Sequence, residues 1–465
     1  MKIKFSNLGS IKETELDLRP LTVIIGPNNS NKTYVAYCVY GLWTNAVSMV
    51  TGDLIRDLTF KRESINTISI KINKLIKLFI TEHNRKKVFF QENLEKFFQD
   101  YNELFSRTDF EIPLTEKQVQ QALDSVIQKK FLRSPSEKSL EITLKNDNSL
   151  FISNLEKISR LKRNDNREEE EAKVISLILA LNEQLFSIPF LLPAERNAFI
   201  ITYRMLANRR YNLLKENRRK LLLNHNNTSD ISYPEPIENF LDFLTNVELK
   251  KSLQINPATK NEFQKLADEI EHYILDKNKV FYEPTVLEGK EIKVKVNENL
   301  IIDLYNASSS VKQLTPLLLY LRYRAEENDL LIIDEPEMNL HPESQAKLLE
   351  VFGILVNLGV KVLITTHSPY FMEYLNSLVI GNINHPQSLK KQAKELYLKD
   401  SRAFVSLDKV SVYEMRDNQL HSLKDEEYGI RWDTLSDVSH VLVQKYFLID
   451  EQGKDISYGK TKKSA

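Results

Sequence analysis

Leu330-Leu331-Ile332-Ile333-Asp334-Glu335-Pro336-Glu337-Met338-Asn339-Leu340-His341-Pro342 is the stretch on which the fold turns. Four apolar residues run into two adjacent carboxylates and a proline. Further on, Val362-Leu363-Ile364-Thr365-Thr366-His367-Ser368 repeats the apolar run and ends on a histidine. Continuous apolar runs of this length suit parallel strands buried on both faces. Such strands deliver their polar residues at the carboxyl end, where open α/β sheets place ligands. The residue types suit phosphoryl transfer: Asp334 to hold Mg²⁺ through water, Glu335 to take a proton from attacking water, His367 to touch a γ-phosphate. Taken alone, the stretch also fits an ordinary acidic strand end.

The N-terminus supplies the complementary half. Leu21-Thr22-Val23-Ile24-Ile25 is a short β-branched strand, followed by Gly26-Pro27-Asn28-Asn29-Ser30-Asn31-Lys32-Thr33 and an apolar helical stretch from Tyr34 to Trp43. Strand, loop and helix in this order form the setting of a phosphate loop, with backbone N–H groups and a helix N-terminus aimed at anionic oxygens. Lys32 would reach the β- and γ-phosphates and Thr33 would offer a hydroxyl to Mg²⁺. Asn31 stands where such loops have their second glycine. Asparagine tolerates positive φ better than most residues, so the loop is expected to close, with binding kept more surely than fast turnover.

Together the two halves resemble the ABC-type ATPases of the SMC, RecF and OLD group. The resemblance rests on Lys2-Ile3-Lys4-Phe5-Ser6-Asn7-Leu8-Gly9-Ser10-Ile11, on the Gly-Pro-Asn-Asn-Ser loop, and on Ile-Ile-Asp-Glu-Pro-Glu with Asn-Leu-His-Pro. It covers roughly 1–44, 187–205 and 300–380. It implies an α/β fold: an ABC-type ATPase head, a mixed sheet with flanking helices, carrying large helical insertions. It also implies ATP and Mg²⁺ as cofactors, Asp334 and Glu335 as the Walker B pair, Asn339-Leu340-His341 as the D-loop and His367 as the switch histidine. Heads of this group act in pairs, with ATP between the phosphate loop of one and the signature motif of the other.

The signature position falls in Asn306-Ala307-Ser308-Ser309-Ser310-Val311-Lys312-Gln313-Leu314, which is similar to Leu-Ser-Gly-Gly only in outline. Ser308 is placed to cap a helix and to offer a hydroxyl to a γ-phosphate, with Ser309 beside it as a second nucleotide contact. Ser309 and Ser310 replace residues that are usually glycine, and the stretch reads equally as a serine-rich cap before a helix Leu314–Arg324. In the defence-type members that this chain resembles, a strand ending in Pro-Ala-Glu-Arg lies beside the phosphate loop. Here Phe190-Leu191-Leu192-Pro193-Ala194-Glu195-Arg196 makes Arg196 a candidate phosphate sensor and Glu195 a candidate to orient water or Arg196 itself, or else the pair simply starts a helix. Departures in both the loop and the signature imply slow hydrolysis and an ATP-gated conformation as the useful output.

With 465 residues, 42% of them hydrophobic, the chain can build two or three packed units around a substantial core. Cys38 is the single cysteine and is read as packing. No apolar run approaches the roughly 20 residues of a membrane span and no secretory signal is read, so the cytoplasm is expected and a membrane is not. The 64 basic and 64 acidic residues cancel, so no global charge drives the chain toward nucleic acid. Locally, Arg204, Arg209, Arg210, Lys215, Arg218, Arg219 and Lys220 could line a phosphate-tracking groove, or be a solvated helix face or an acidic partner's docking surface, and DNA binding stays open. Arg167–Glu171 reads as solvated helix surface.

The organisation expected is a head in pieces. Residues 1–44 carry the phosphate loop, 45–186 a helical insertion, 187–205 a head strand, and 206–299 a second helical insertion ending in a hairpin. In the first insertion Ile65, Ile68, Ile72, Leu75, Ile76 and Phe79 are spaced as on a helix, without the sustained heptads of a long coiled coil. In the second, Asn224–Asp230 and Pro234-Glu235-Pro236 break the helices, and Glu291–Val296 with Leu300–Leu304 suits a hairpin returning to the sheet. Residues 300–398 resume the head with a helix from Pro369 to about Val379 and a polar connection over 380–398. Residues 399–450 give a hairpin (Val410–Met415, Gln419–Leu423) and a helix (Thr434–Gln444), and 451–465 a disordered tail. The metal-dependent TOPRIM nuclease that OLD proteins carry after the ATPase is not expected within these residues, since little chain follows the head and no Asp-x-Asp pair follows His367.

Two function classes follow from the resemblance. One is a sensor or regulatory ATPase subunit like those of Septu- and PARIS-type antiphage systems. It would self-associate head to head or as a higher oligomer, control a separately encoded nuclease or toxin, and respond to a trigger such as a phage protein. The other is a RecF- or SMC-like clamp that grips DNA in repair. An ABC transporter motor fits the chain order and the large inserts poorly.

Overall fold

A computed structural model describes the chain apart from residues 48–56, 59, 65–66, 101, 134–138, 146–147, 155–165, 207–232, 250–259, 285–289, 385–387, 426–428, 432–443 and 446–465. At its centre six strands run in the order Ile188–Leu192, Asp329–Asp334, Lys361–Thr366, Leu21–Ile25, Val410–Arg416, Gln419–Ser422. The first five are parallel and the last returns antiparallel, so the sheet is mixed, as expected. Every residue of Leu21–Ile25 and Asp329–Asp334 is buried, which is why these strands read as unbroken apolar runs. Helices Lys32–Val47, Ser309–Tyr323, Pro342–Asn357 and Pro369–Asn384 flank the sheet. The strand order matters for function: Lys361–Thr366 lies between the loop-bearing strand and Asp329–Asp334, so His367 emerges between Lys32 and Glu335.

The N-terminal strands Lys2–Leu8 and Ile11–Asp17 form an antiparallel hairpin whose alternating burial puts Ile3, Phe5 and Leu8 into the core. Its third strand, Asp109–Glu111, comes from the first insertion.

The purely helical reading of 45–186 needs correction. Helices Ile72–Glu92, Leu94–Phe98, Glu116–Gln128 and Asn166–Leu185 are present, but so is a five-stranded antiparallel sheet. Its order is Phe60–Arg62, Thr67–Lys71, Ser149–Asn154, Ser139–Lys145, Phe131–Arg133. Ile68 belongs to a strand whose period is two, with Ile68 and Ile70 both buried; helical spacing begins only at Ile72, and Ile65 lies outside the described residues. Nor is the insertion a free arm. Phe90, Phe97 and Phe110 are buried in an aromatic column that ends on Phe5 of the hairpin. Burial of each is worth roughly 1.5–3 kcal/mol, enough to fix the insertion to the head. Gly41 of helix Lys32–Val47 permits the contact, since a Cβ there would stand 2.3 Å from Phe90 Cζ.

The second insertion gives helices Glu235–Leu249 and Glu262–Tyr273, then Lys279–Pro284, Lys290–Asn297 and Leu300–Asp303. These three strands form a sheet of their own and do not return to the central one. The C-terminal hairpin pairs Val410–Arg416 with Gln419–Ser422 as expected. Helix Pro369–Asn384 runs about one turn past Val379. Most of the helix expected at Thr434–Gln444, the 451–465 tail and Arg209–Lys220 lie outside the described residues. No described helix is long and apolar enough to cross a membrane.

Candidate functional site

The loop Gly26–Thr33 owes its shape to two asparagines. Asn29 (φ 58°) and Asn31 (φ 67°) both take the left-handed conformation, the kind of backbone from which anion-binding nests are built. Asn31 thus adopts the backbone that glycine would supply, and its side chain is fastened: Nδ2 donates to Ser10 Oγ, which donates to Asn418 Oδ1 at 2.8 Å. Gly26 has no such freedom to change, because a Cβ would lie 2.8 Å from the Met415 carbonyl oxygen. Lys32 is 5% exposed, and its Nζ donates to Gly26 O (3.1 Å), Pro27 O (2.7 Å) and Ser30 Oγ (3.3 Å). Burial lowers the ammonium's pKa, against the opposing pull of Glu335, Asp334 and Glu337.

Across from the loop, the ends of two neighbouring strands meet it. Thr33 Oγ1 donates to Asp334 Oδ2 at 3.0 Å, and Thr365 Oγ1 donates to Asp334 Oδ1. A buried carboxylate beside a hydroxyl, both hard oxygen donors, fits Mg²⁺. Burial pushes the Asp334 carboxyl up to about 6. Glu335 has φ 46°, a strained value for a residue with a side chain, and its N–H donates to Thr365 O at 3.0 Å. Its Oε1 lies 2.8 Å from His367 Nε2. Glu337 secures the histidine's backbone: Oε1 accepts from His367 N (2.7 Å) and Thr366 Oγ1 (2.6 Å). His341, in the D-loop position, caps helix Pro342–Asn357 through Nδ1, which accepts from Glu343 N at 3.4 Å.

A cavity of about 620 Å³ is lined by Asn28, Asn29, Ser30, Asn31, Lys32, Thr33, Tyr34, Glu335 and His367. Residues from both ends of the chain therefore share one polar chamber. Tyr34, Glu337, Thr365 and Thr366 were missed as site residues from sequence. Thr365-Thr366 precedes the histidine directly and Glu337 completes Asp-Glu-Pro-Glu, so a signal was there. What no local pattern reveals is which hydroxyl meets which carboxylate.

Arg196 requires correction as a phosphate sensor. It is 2% exposed, and its guanidinium is engaged by backbone: Nη1 donates to Asp334 O (2.8 Å) and Pro193 O (2.9 Å), Nη2 to Glu335 O (3.1 Å), Nε to Gln313 O (3.2 Å). With the Gln313 amide turned so that its oxygen faces Arg196, the side chain accepts as well. Burial brings this guanidinium down to about 10, offset by Asp334, Glu337 and Glu335. Arg196 is a clamp that joins the Asp334-Glu335 corner to the helix starting at Ser309. Glu195 is exposed and does not orient it. Ser308 is the helix N-cap, its Oγ accepting from Val311 N at 3.4 Å and standing 2.9 Å from Ser310 Oγ. Ser308 and Ser309 are exposed and do not line this chain's own cavity. Arg204, the described member of the basic stretch, lies 3.7 Å from Glu291.

A loop between strand and helix with a buried lysine, facing a carboxylate pair at the end of the parallel strand next but one, is an arrangement that suits a nucleotide-binding protein. The chain belongs to the AAA ATPase domain family, whose model matches residues 1–372. No curated protein matches it. Among solved structures it is similar to the Smc head bound to the C-winged helix domain of ScpA, at 11% identity and TM-score 0.34, over 92% of this chain and 98% of that one. A Smc head with an extended coiled coil, bound to the C-terminal domain of ScpA from Pyrococcus furiosus, shares 12% identity at TM-score 0.32, over 96% and 98%. The SMC head domain from Thermotoga maritima shares 10% at TM-score 0.27, over 80% and 90%.

Proposed function

We propose that this protein is a slow MgATP-dependent ATPase that works as the regulatory subunit of an antiphage system, two heads closing over ATP to control a separately encoded nuclease or toxin. The observation that carries the ATPase reading is the meeting of Lys32, Glu335 and His367 in one cavity. Lys32 and the loop N–H groups bind the phosphates; Thr33 and Asp334 would hold Mg²⁺, which would supply charge neutralisation there. Glu335 takes a proton from water as the water oxygen bonds to the γ-phosphorus and the bond to the β-phosphate oxygen breaks, leaving ADP and phosphate. His367 donates to the γ-phosphate as charge develops there. For this, His367 Nε2 must leave the hydrogen bond it makes with Glu335 Oε1, which supports slow turnover. Ser308 and Ser309, exposed at a helix start, complete the site of a second copy.

The regulatory reading is supported by the signature serines in place of glycines and by an insertion packed directly on the nucleotide-binding helix. Purification from the native host with ATP, using Glu335→Gln to hold the closed state, tests it. Co-elution of a nuclease or toxin in fixed ratio supports the regulator; recovery with DNA through strong, salt-sensitive binding supports the clamp instead.

A further inference from the structure

Tyr34 is the aromatic side chain lining the phosphate-loop cavity, and its surroundings are built around it. Its ring lies edge-on to Phe105 (5.1 Å, 89°) and Phe98 (5.7 Å, 75°), and these two stack on each other at 4.3 Å. On another side the ring covers Gly9, where a Cβ would stand 3.2 Å from Tyr34 Cδ2 and φ is +59°. Phe98 and Phe105 belong to the first insertion, and their segment is tied down. Asp100 Oδ2 accepts from Phe105 N at 3.1 Å, and Thr108 Oγ1 donates to Asn7 O at 2.8 Å beside the Gly9 turn. The Asn31, Ser10 and Asn418 side chains form a polar rail next to the same turn.

The cavity thus has two chemically different parts. Lys32, Thr33, Glu335 and His367 suit phosphates and metal, whereas Tyr34 offers an aromatic surface with no charge to neutralise. We propose that Tyr34, buttressed by Phe98 and Phe105 and edged by the Asn31–Ser10–Asn418 rail, is the platform for the nucleotide's purine base, so that the insertion registers whether a base is bound. Every base presents a π-face, and stacking on an aromatic ring contributes enough to raise affinity about tenfold or more. The inference rests on the reading of Gly26–Thr33 as the phosphate site.

The test compares magnesium tripolyphosphate, which has no base, with MgATP by calorimetric titration of the full-length protein. In the wild type ATP should bind at least tenfold tighter than tripolyphosphate. Tyr34→Ala should bring the ratio of the two dissociation constants close to one, and Tyr34→Phe should keep it, a comparison made within each variant and so independent of small changes in folding. Backbone hydrogen exchange over Phe98–Phe105 should slow with ATP and not with tripolyphosphate. An unchanged ratio in Tyr34→Ala, or equal protection by the two ligands, overturns the proposal. Failure of the wild type to bind either ligand removes the phosphate-site reading itself.

Discussion

Glu335 holds a left-handed backbone at φ 46° because its neighbours leave no alternative. Arg196 bonds the carbonyls of Asp334 and Glu335 while Thr365 accepts the Glu335 N–H, and these bonds offset a strain of roughly 1–3 kcal/mol. Arg196→Met keeps the volume and orphans those buried carbonyls, so urea denaturation should show a loss of about 3 kcal/mol. Turnover should fall with it, since the base is no longer aimed. Glu335→Gln should keep ATP binding and lower kcat by about 10²-fold or more, whereas Lys32→Ala should abolish binding, both read by nucleotide titration and phosphate release. Equal, near-wild-type turnover in the two would sink the assignments. At the opposite end of the same strand Asp329 is buried, accepts from Tyr320 OH at 2.9 Å, and is pushed up to about 6. Its folded pKa exceeds the unfolded value of 3.8, so the folded state binds the proton more tightly. This contribution to stability is full below pH 3.8, declines as pH rises to about 6, and is flat above. Asp329→Asn should flatten that part of the stability curve.

Elements carry the next set of constraints. The phosphate loop needs a left-handed residue at Asn31 and uses the side chain as a latch to Ser10. Asn31→Ala loses the latch and keeps the strain, and should cost about 1–2 kcal/mol. Asn31→Gly loses the latch but sheds the strain and should cost much less, a contrast that thermal or urea unfolding resolves. At Gly41 the helix Lys32–Val47 receives Phe90 so closely that Gly41→Val must displace the ring. A loss of about 1–3 kcal/mol is expected, with faster proteolysis in the insertion than in the central sheet. Much of this was legible locally. The strand, loop and helix from Leu21 to Trp43, the Ser308 cap and the Val410–Arg416 hairpin each declare themselves through turn residues, capping chemistry or apolar runs. Thr67–Lys71 did not, because Ile68 and Ile72 fit helical spacing while Ile68 and Ile70 fit a strand, and only pairing with Ser149–Asn154 decides.

For the whole molecule, the separation of Ser308 from this chain's own cavity has a consequence for assembly. If, as proposed, a second copy brings its serine to the nucleotide, Glu335→Gln with ATP should sediment as a dimer. Ser308→Arg should stay monomeric with ATP binding retained. A Ser308→Arg dimer under the same conditions would place the interface elsewhere. On the proposed reading, closure would reach the first insertion through Phe90 and Phe97, which pack at Gly41 of helix Lys32–Val47, and through Asp109–Glu111, which extends the N-terminal hairpin.

By itself the sequence determined the class of fold and placed the candidate site residues in the loop and at the strand ends. Buried parallel strands require unbroken apolar runs, phosphate loops require particular residues between strand and helix, and both are properties of neighbouring residues. Tertiary structure decided what depends on residues far apart in the chain. It turned Arg196 from a sensor into a buried clamp, since only the fold brings the carbonyls of Pro193, Gln313, Asp334 and Glu335 around one guanidinium. It also set Tyr34 against Phe98 and Phe105, because strand pairing between Lys2–Leu8 and Asp109–Glu111 closes a long loop whose register no local pattern specifies.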